Sequence, residues 1–240
     1  MEPVDVKNEE TEIRDAGKAD SRPVKEVSLT EKVLTLLVVC LLTFLICAGA
    51  GILMRNLNIT ILRIYASYSC YILMGAVALI AMKRTGMKPD IDFRSGKQFL
   101  IGLNVAVILS VCIAIIPAKL GVSFVGSHED FRVLTLVNNL ISYFIFVGPV
   151  EELVFRVYVQ GTLTDMLGRN KWLGVILASS IFGLWHLVNG NIIQVLFTFG
   201  IGMVFGFVRY LNRDFKLLGL GFSHGLYDFM NYLVRLFIAA

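Results

Sequence analysis

The chain contains no Cys-x-x-Cys spacing, no Walker phosphate loop, no dinucleotide-binding glycine fingerprint and no His-Glu-x-x-His zinc motif. Nucleotide-dependent chemistry therefore has no sequence handle here. Cysteine is sparse: Cys40, Cys47, Cys70 and Cys112 all fall in apolar stretches. That placement reads as buried free thiols, and neither a disulfide framework nor a thiolate metal site follows from it. Charge is also scarce, at 17% of residues. The net charge of +4 is carried by short segments between apolar runs, so it points to membrane topology and not to a nucleic-acid partner. The first 28 residues have no apolar run of the kind that marks a cleavable signal peptide. No internal repeat of the transporter kind is evident.

What is abundant is apolar residue, at 56% of the chain, with a mean hydropathy of +0.73. Seven apolar stretches are long enough to cross hydrocarbon, at Val33–Leu53, Ile59–Met82, Gln98–Pro117, Leu134–Leu163, Trp172–Val188, Ile192–Leu211 and Leu217–Ile238. The expected fold class is all-α, a polytopic helical membrane protein of about seven spans in the lipid bilayer, with a catalytic bundle formed by the later helices. The fourth stretch, about 45 Å as a helix, must tilt, break or extend beyond the bilayer. Gly148-Pro149 is the expected break. Residues 1–32 read as a disordered polar cytoplasmic arm with nine acidic and six basic residues, and residues 33–240 as the transmembrane domain.

Lysine and arginine set the orientation. With the N-terminus inside, the cytoplasmic segments hold the arm's six basic residues, then Lys83, Arg84, Lys88, Arg94 and Lys97. Arg169, Lys171, Arg209, Arg213 and Lys216 join them, whereas the outside loops hold Arg55, Lys119 and Arg132. A multi-pass protein of a cell membrane with a cytoplasmic N-terminus is expected.

Ionised residues at membrane depth cost about 2.5–3.5 kcal/mol each, so they require partners and a reason. Glu151, Glu152 and Arg156 occupy six positions of one apolar stretch. Glu152 and Arg156 share a helix face at i, i+4 and can pair, whereas Glu151 is rotated about 100° away and is free for chemistry. His186 follows on the fifth stretch, one turn after Phe182, and His224 and Asp228 stand at i, i+4 on the seventh. Helix rise from Trp172 and Lys216 places His186 and His224 roughly 21 and 12 Å into their spans, near mid-depth. Each residue also has a purely structural reading. Glu152–Arg156 can be a clamp, His186 an interhelical polar contact and Asp228 an orienting partner of His224. Gly202 and Gly206, and Gly221 and Gly225, are small-residue pairs suited to close helix approach.

Together these groups outline an intramembrane site. A carboxylate in a low-dielectric cavity suits general-base activation of water, and imidazoles can bind that water or stabilise an oxyanion. Two histidines with one or two carboxylates also satisfy a catalytic divalent metal such as zinc, whose ligands would be drawn from Glu151, His186, His224 and Asp228. Both readings stay open on spacing alone. A proton-coupled transporter could use the same residue types.

The order Glu151-Glu152-x-x-x-Arg156, Phe182-x-x-x-His186, His224-x-x-x-Asp228 resembles the signature of the CPBP family, the CAAX-protease and bacteriocin-processing group also called Abi. The resemblance covers about residues 147–232. It implies an intramembrane endopeptidase acting on a membrane-associated or lipidated peptide, with the cut near the cytoplasmic leaflet. Glu151 would activate water, and His186 and His224 would bind it or stabilise the oxyanion. A non-catalytic peptide-binding or self-immunity protein is the alternative. Two features depart from the family. Val157 follows the arginine where glycine is common, and seven spans are read where the prenyl-protein branch has eight. Asp228, where the eukaryotic branch has asparagine, fits the bacterial type.

Overall fold

Hydrocarbon offers a backbone no hydrogen-bond partner, so each apolar run closes its amide bonds within itself as a helix. A computed structural model of the protein describes residues 27–122, 124–188 and 190–238 and contains no strand among them. Seven long helices follow one another: α1 (Leu29–Asn56), α2 (Thr60–Arg84), α3 (Gly96–Lys119), α4 (Val133–Met166), α5 (Lys171–Trp185), α6 (Ile192–Leu211) and α7 (Leu217–Phe237). Six segments among the described residues are long and apolar enough to cross a membrane. α7 has comparable length but a lower hydropathy, because His224, Asp228, Asn231 and Arg235 interrupt it. The arm expected over residues 1–32 lies, as far as residue 26, outside the described residues. Its last four residues already form the first turn of α1, where the Ser28 hydroxyl accepts a hydrogen bond from the Glu31 amide.

α1 packs on α2, α5 on α6, and α3 on α7, while α4 runs through the centre against α2, α5 and α7. Two apolar cores result. One joins α1, α2, α4 and α5 through Val39, Met74, Val154, Phe155, Tyr158 and Phe182. The other joins α3, α6 and α7 through Val105, Leu109, Ile201, Phe205, Leu220 and Tyr227. Leu37, Leu41 and Leu45 on α1 and Ile72, Leu79 and Ile80 on α2 point outward, as lipid-facing side chains would.

The break expected at Gly148-Pro149 does not occur. α4 continues through the proline, flanked by wide π-helical turns at Ser142–Val147 and Glu152–Gln160. A proline lacks an amide proton and its ring crowds the carbonyl four residues back, and a widened turn relieves both without breaking the helix. At 34 residues α4 is roughly 51 Å long, so the tilt or overhang expected of it stands.

Glycines let α4 and α7 touch backbone to backbone. A Cβ on Gly221 would lie 2.8 Å from the Cα of Pro149, and one on Gly225 2.6 Å from the carbonyl oxygen of Tyr143. Gly202 and Gly206 instead admit side chains: a Cβ on Gly202 would lie 3.1 Å from Phe182 Cδ1, and one on Gly206 2.7 Å from Val175 Cγ1. Both small-residue pairs thus serve close helix packing. We expect Gly221→Ala to cost about 1–3 kcal/mol, because a backbone atom cannot move aside. Thermal unfolding of the solubilised protein measures it, with Gly200→Ala, which meets nothing within 4 Å, as the silent control.

α7 is also pinned by polar contacts. The Gln98 side chain accepts from the Gly219 amide at 2.9 Å, one of the unpaired donors of the first turn of α7. The Ser223 hydroxyl donates to the Gly102 carbonyl at 2.8 Å. At the end of the bundle where α7 begins, Lys216 pairs with Asp92 at 2.8 Å and holds that carboxyl below its usual range.

Candidate active site

The two cores meet where α4 faces α7, and the ionisable residues lie on that seam. Glu151, Glu152 and Arg156 are all buried, the last two completely. The i, i+4 pair forms as expected, with Arg156 Nε 3.4 Å from Glu152 Oε2. The guanidinium also stacks over the Phe182 ring, 4.4 Å from its centroid.

Glu152 has a second partner. His224 Nδ1 lies 2.8 Å from Glu152 Oε1, within hydrogen-bond range of an acceptor-only carboxylate. The orienting carboxylate of His224 is therefore Glu152, four residues before Arg156, and Asp228 takes a different place. Asp228 Oδ2 is 3.6 Å from the other ring nitrogen, Nε2, and Glu151 Oε2 is 3.8 Å from the same atom. Packing holds the imidazole plane: it stacks on Phe205 at 5.6 Å and meets the edge of Phe182 at 6.2 Å. One aromatic ring from each core thus fixes the histidine.

Glu151 turns away from Arg156, as the 100° rotation demands, and faces a cavity of about 780 Å³. His186, His224 and Asp228 line the same cavity. The four candidate catalytic residues are brought together around one space, while Glu152 and Arg156 stand behind it and Phe182 forms part of its wall.

His186 stands where its helix ends. α5 ends at Trp185, and His186 opens a short 3-10 turn, so the ring stands at the helix terminus. The sequence does not mark this end, because the apolar run continues past it. His186 Nδ1 lies 2.9 Å from the Phe182 carbonyl. A carbonyl only accepts, so Nδ1 carries the hydrogen and the neutral ring presents a bare Nε2 lone pair.

Tyr71 on α2 escaped the sequence reading. Its hydroxyl donates to Glu151 Oε1 at 3.3 Å. A tyrosine in an apolar span carries no motif, and nothing in the spacing of the α2 stretch links it to α4. Tyr143, Tyr227, Asn231 and Gln194 also line the cavity and were not anticipated. We expect Tyr71→Phe to lower turnover about fivefold to tenfold, the value of one long hydrogen bond of about 1–1.4 kcal/mol, with the fold intact. Activity measured at matched protein concentration reads this out.

Among the described residues no group of three or more His, Cys, Asp or Glu side chains is arranged to hold a metal ion. His224 commits Nδ1 to Glu152, which leaves Nε2 facing Glu151 and Asp228.

A family model described as "Type II CAAX prenyl endopeptidase Rce1-like" matches residues 133–230. The matched segment runs from the start of α4 into α7 and contains Glu151, Glu152, Arg156, Phe182, His186, His224 and Asp228, whereas Tyr71 and Asn231 lie outside it. No match was found among curated proteins or among solved structures.

Proposed function

We propose that this protein, which matches a model of the CAAX prenyl endopeptidase family over residues 133–230, is an endopeptidase that hydrolyses a peptide bond of a membrane-associated substrate with water activated by Glu151. The observation that carries this reading is the division between two adjacent glutamates. Glu152 is wholly enclosed and tied to Arg156 and His224, whereas Glu151 faces the cavity beside an imidazole.

In this scheme Glu151 takes a proton from a water molecule, and the resulting hydroxide adds to the scissile carbonyl carbon. The tetrahedral intermediate places a negative charge on the former carbonyl oxygen, which a proton on His224 Nε2 can stabilise. Collapse breaks the C–N bond, and Glu151 returns its proton to the leaving amine. His186, with Nδ1–H committed to a carbonyl, accepts a hydrogen of the water at Nε2 and aims its oxygen. Glu152 holds His224 at Nδ1, and Asp228 favours a proton on Nε2 from 3.6 Å away. No step passes through a metal ion, and a chelator should leave the rate unchanged.

The test is a comparison of peptide termini in membranes of cells that express wild type or Glu151→Gln. New termini that depend on Glu151 establish the protease and identify its substrates. Identical termini at matched expression in the native host would overturn the reading in favour of peptide binding without cleavage.

A further inference from the structure

The cavity reaches from the middle of the bundle to one end of it: Tyr71 and Glu151 lie near the midpoints of α2 and α4, and the other contributors from α3 to α7 lie toward a single end. Gly126 lies in the α3–α4 connection, Gln194 in the first turn of α6, and Asn231 and Arg235 in the last turns of α7. The α3–α4 connection is held there by α7. Arg235 donates to Glu129 at 3.2 Å and to the Val125 carbonyl at 3.2 Å, and Phe124 packs on Phe197 with centroids 4.7 Å apart. The mouth is therefore on the face that carries the α1–α2, α3–α4 and α5–α6 connections.

Lysine and arginine concentrate on the opposite face. The α2–α3 connection and its flanks hold Lys83, Arg84, Lys88, Arg94 and Lys97, and the α6–α7 connection adds Arg209, Arg213 and Lys216. These two connections are tied to each other by Arg209–Asp90 at 2.8 Å, Lys216–Asp92 at 2.8 Å and Lys97–Asp214 at 2.6 Å. They form a single basic surface at the end of the bundle remote from the cavity. Arg169 and Lys171 at the α4–α5 connection lie on the same basic face, whereas the cavity face with its flanks carries Arg55, Arg63, Lys119, Arg132 and Arg235. Basic connections of this length remain in the cytoplasm.

We infer that the cavity opens on the extracytoplasmic side, so that the substrate is an exported or membrane-spanning polypeptide reached from that side and not the lipidated tail of a cytoplasmic protein. That the occupant is a substrate rests on the proposed protease activity; the side of the opening does not. The cut would then fall near the outer leaflet, contrary to the cytoplasmic leaflet that family resemblance suggests. The polar side chains at the mouth suit such a partner. Tyr143, Gln194 and Asn231 offer uncharged donors and acceptors for an extended peptide backbone.

A membrane-impermeant maleimide applied to cells expressing the full chain tests the assignment. Gln194→Cys lies at the cavity mouth, and Lys88→Cys lies on the basic face; neither residue is in the proposed catalytic set. The expected result is labelling of Gln194→Cys in intact cells and of Lys88→Cys only after permeabilisation, above the background of the native cysteines. Should Gln194→Cys resist the reagent under both conditions, Asp130→Cys, exposed in the α3–α4 connection, reports the same face. Labelling of Lys88→Cys in intact cells, or of the cavity-face cysteines only after permeabilisation, overturns the inference. Labelling is independent of cleavage, so a failed orientation and a failed protease activity are told apart by whether Glu151-dependent termini still appear.

Discussion

Glu151→Gln is expected to reduce cleavage by about 10²–10⁴-fold, the contribution of a positioned general base, while leaving the protein folded. The amide has nearly the volume of the carboxylate, so the 780 Å³ cavity and the helix seam keep their shape. Its carbonyl oxygen can still accept from Tyr71, which donates to Oε1 in the native protein. What is lost is the ability to take a proton from water. Two readouts separate this from a folding defect: the melting temperature stays within about a degree of wild type, and KM changes far less than kcat. Equal loss of stability and activity would assign Glu151 to the scaffold.

Arg156→Ala is expected to act on the scaffold and not on the chemistry. Arg156 and Glu152 are both fully buried, and the guanidinium balances the carboxylate at 3.4 Å. Removing one member of a buried pair leaves an uncompensated charge and costs about 3–5 kcal/mol. For a chain of this size that corresponds to a fall in melting temperature on the order of 10 °C. The truncation also removes the cation stacked over Phe182, the ring that borders both His186 and His224. Activity should therefore fall with stability, and lowering the assay temperature should recover part of it. Glu151→Gln should show no such recovery. An unchanged melting temperature for Arg156→Ala would contradict the buried pair.

Much of this was legible before any coordinates, for identifiable reasons. Apolar runs of about twenty residues admit one solution in hydrocarbon, so helices α1 to α7 follow closely from composition. Charged residues inside such runs stand out for the same reason, which is why Glu151, Glu152, Arg156, His224 and Asp228 declared themselves. The i, i+4 rule gave the Glu152–Arg156 pair, and helical rotation separated Glu151 from it.

What could not be read concerns contacts between helices distant in sequence. Spacing along α7 suggested that Asp228 orients His224, yet Glu152, 72 residues away, makes the short bond. Tyr71 reaches Glu151 across 80 residues and has no local signature. Two further features were local but depended on backbone geometry. Gly148-Pro149 reads as a break, but wide π-helical turns absorb it. The end of α5 before His186 is likewise invisible, because the residues after it are still apolar.

The central claim is that Glu151, and not its neighbour or a bound metal, activates the water. The most direct measurement uses the purified protein in lipid nanodiscs with a peptide spanning a cut site mapped in cells. Cleavage by wild type and by Glu151→Gln is followed by mass spectrometry, with and without a chelator. The account predicts cleavage by wild type that the chelator does not change, and none above background by Glu151→Gln. Cleavage by Glu151→Gln at the wild-type rate, or abolition of wild-type cleavage by the chelator with restoration by added metal, would contradict it.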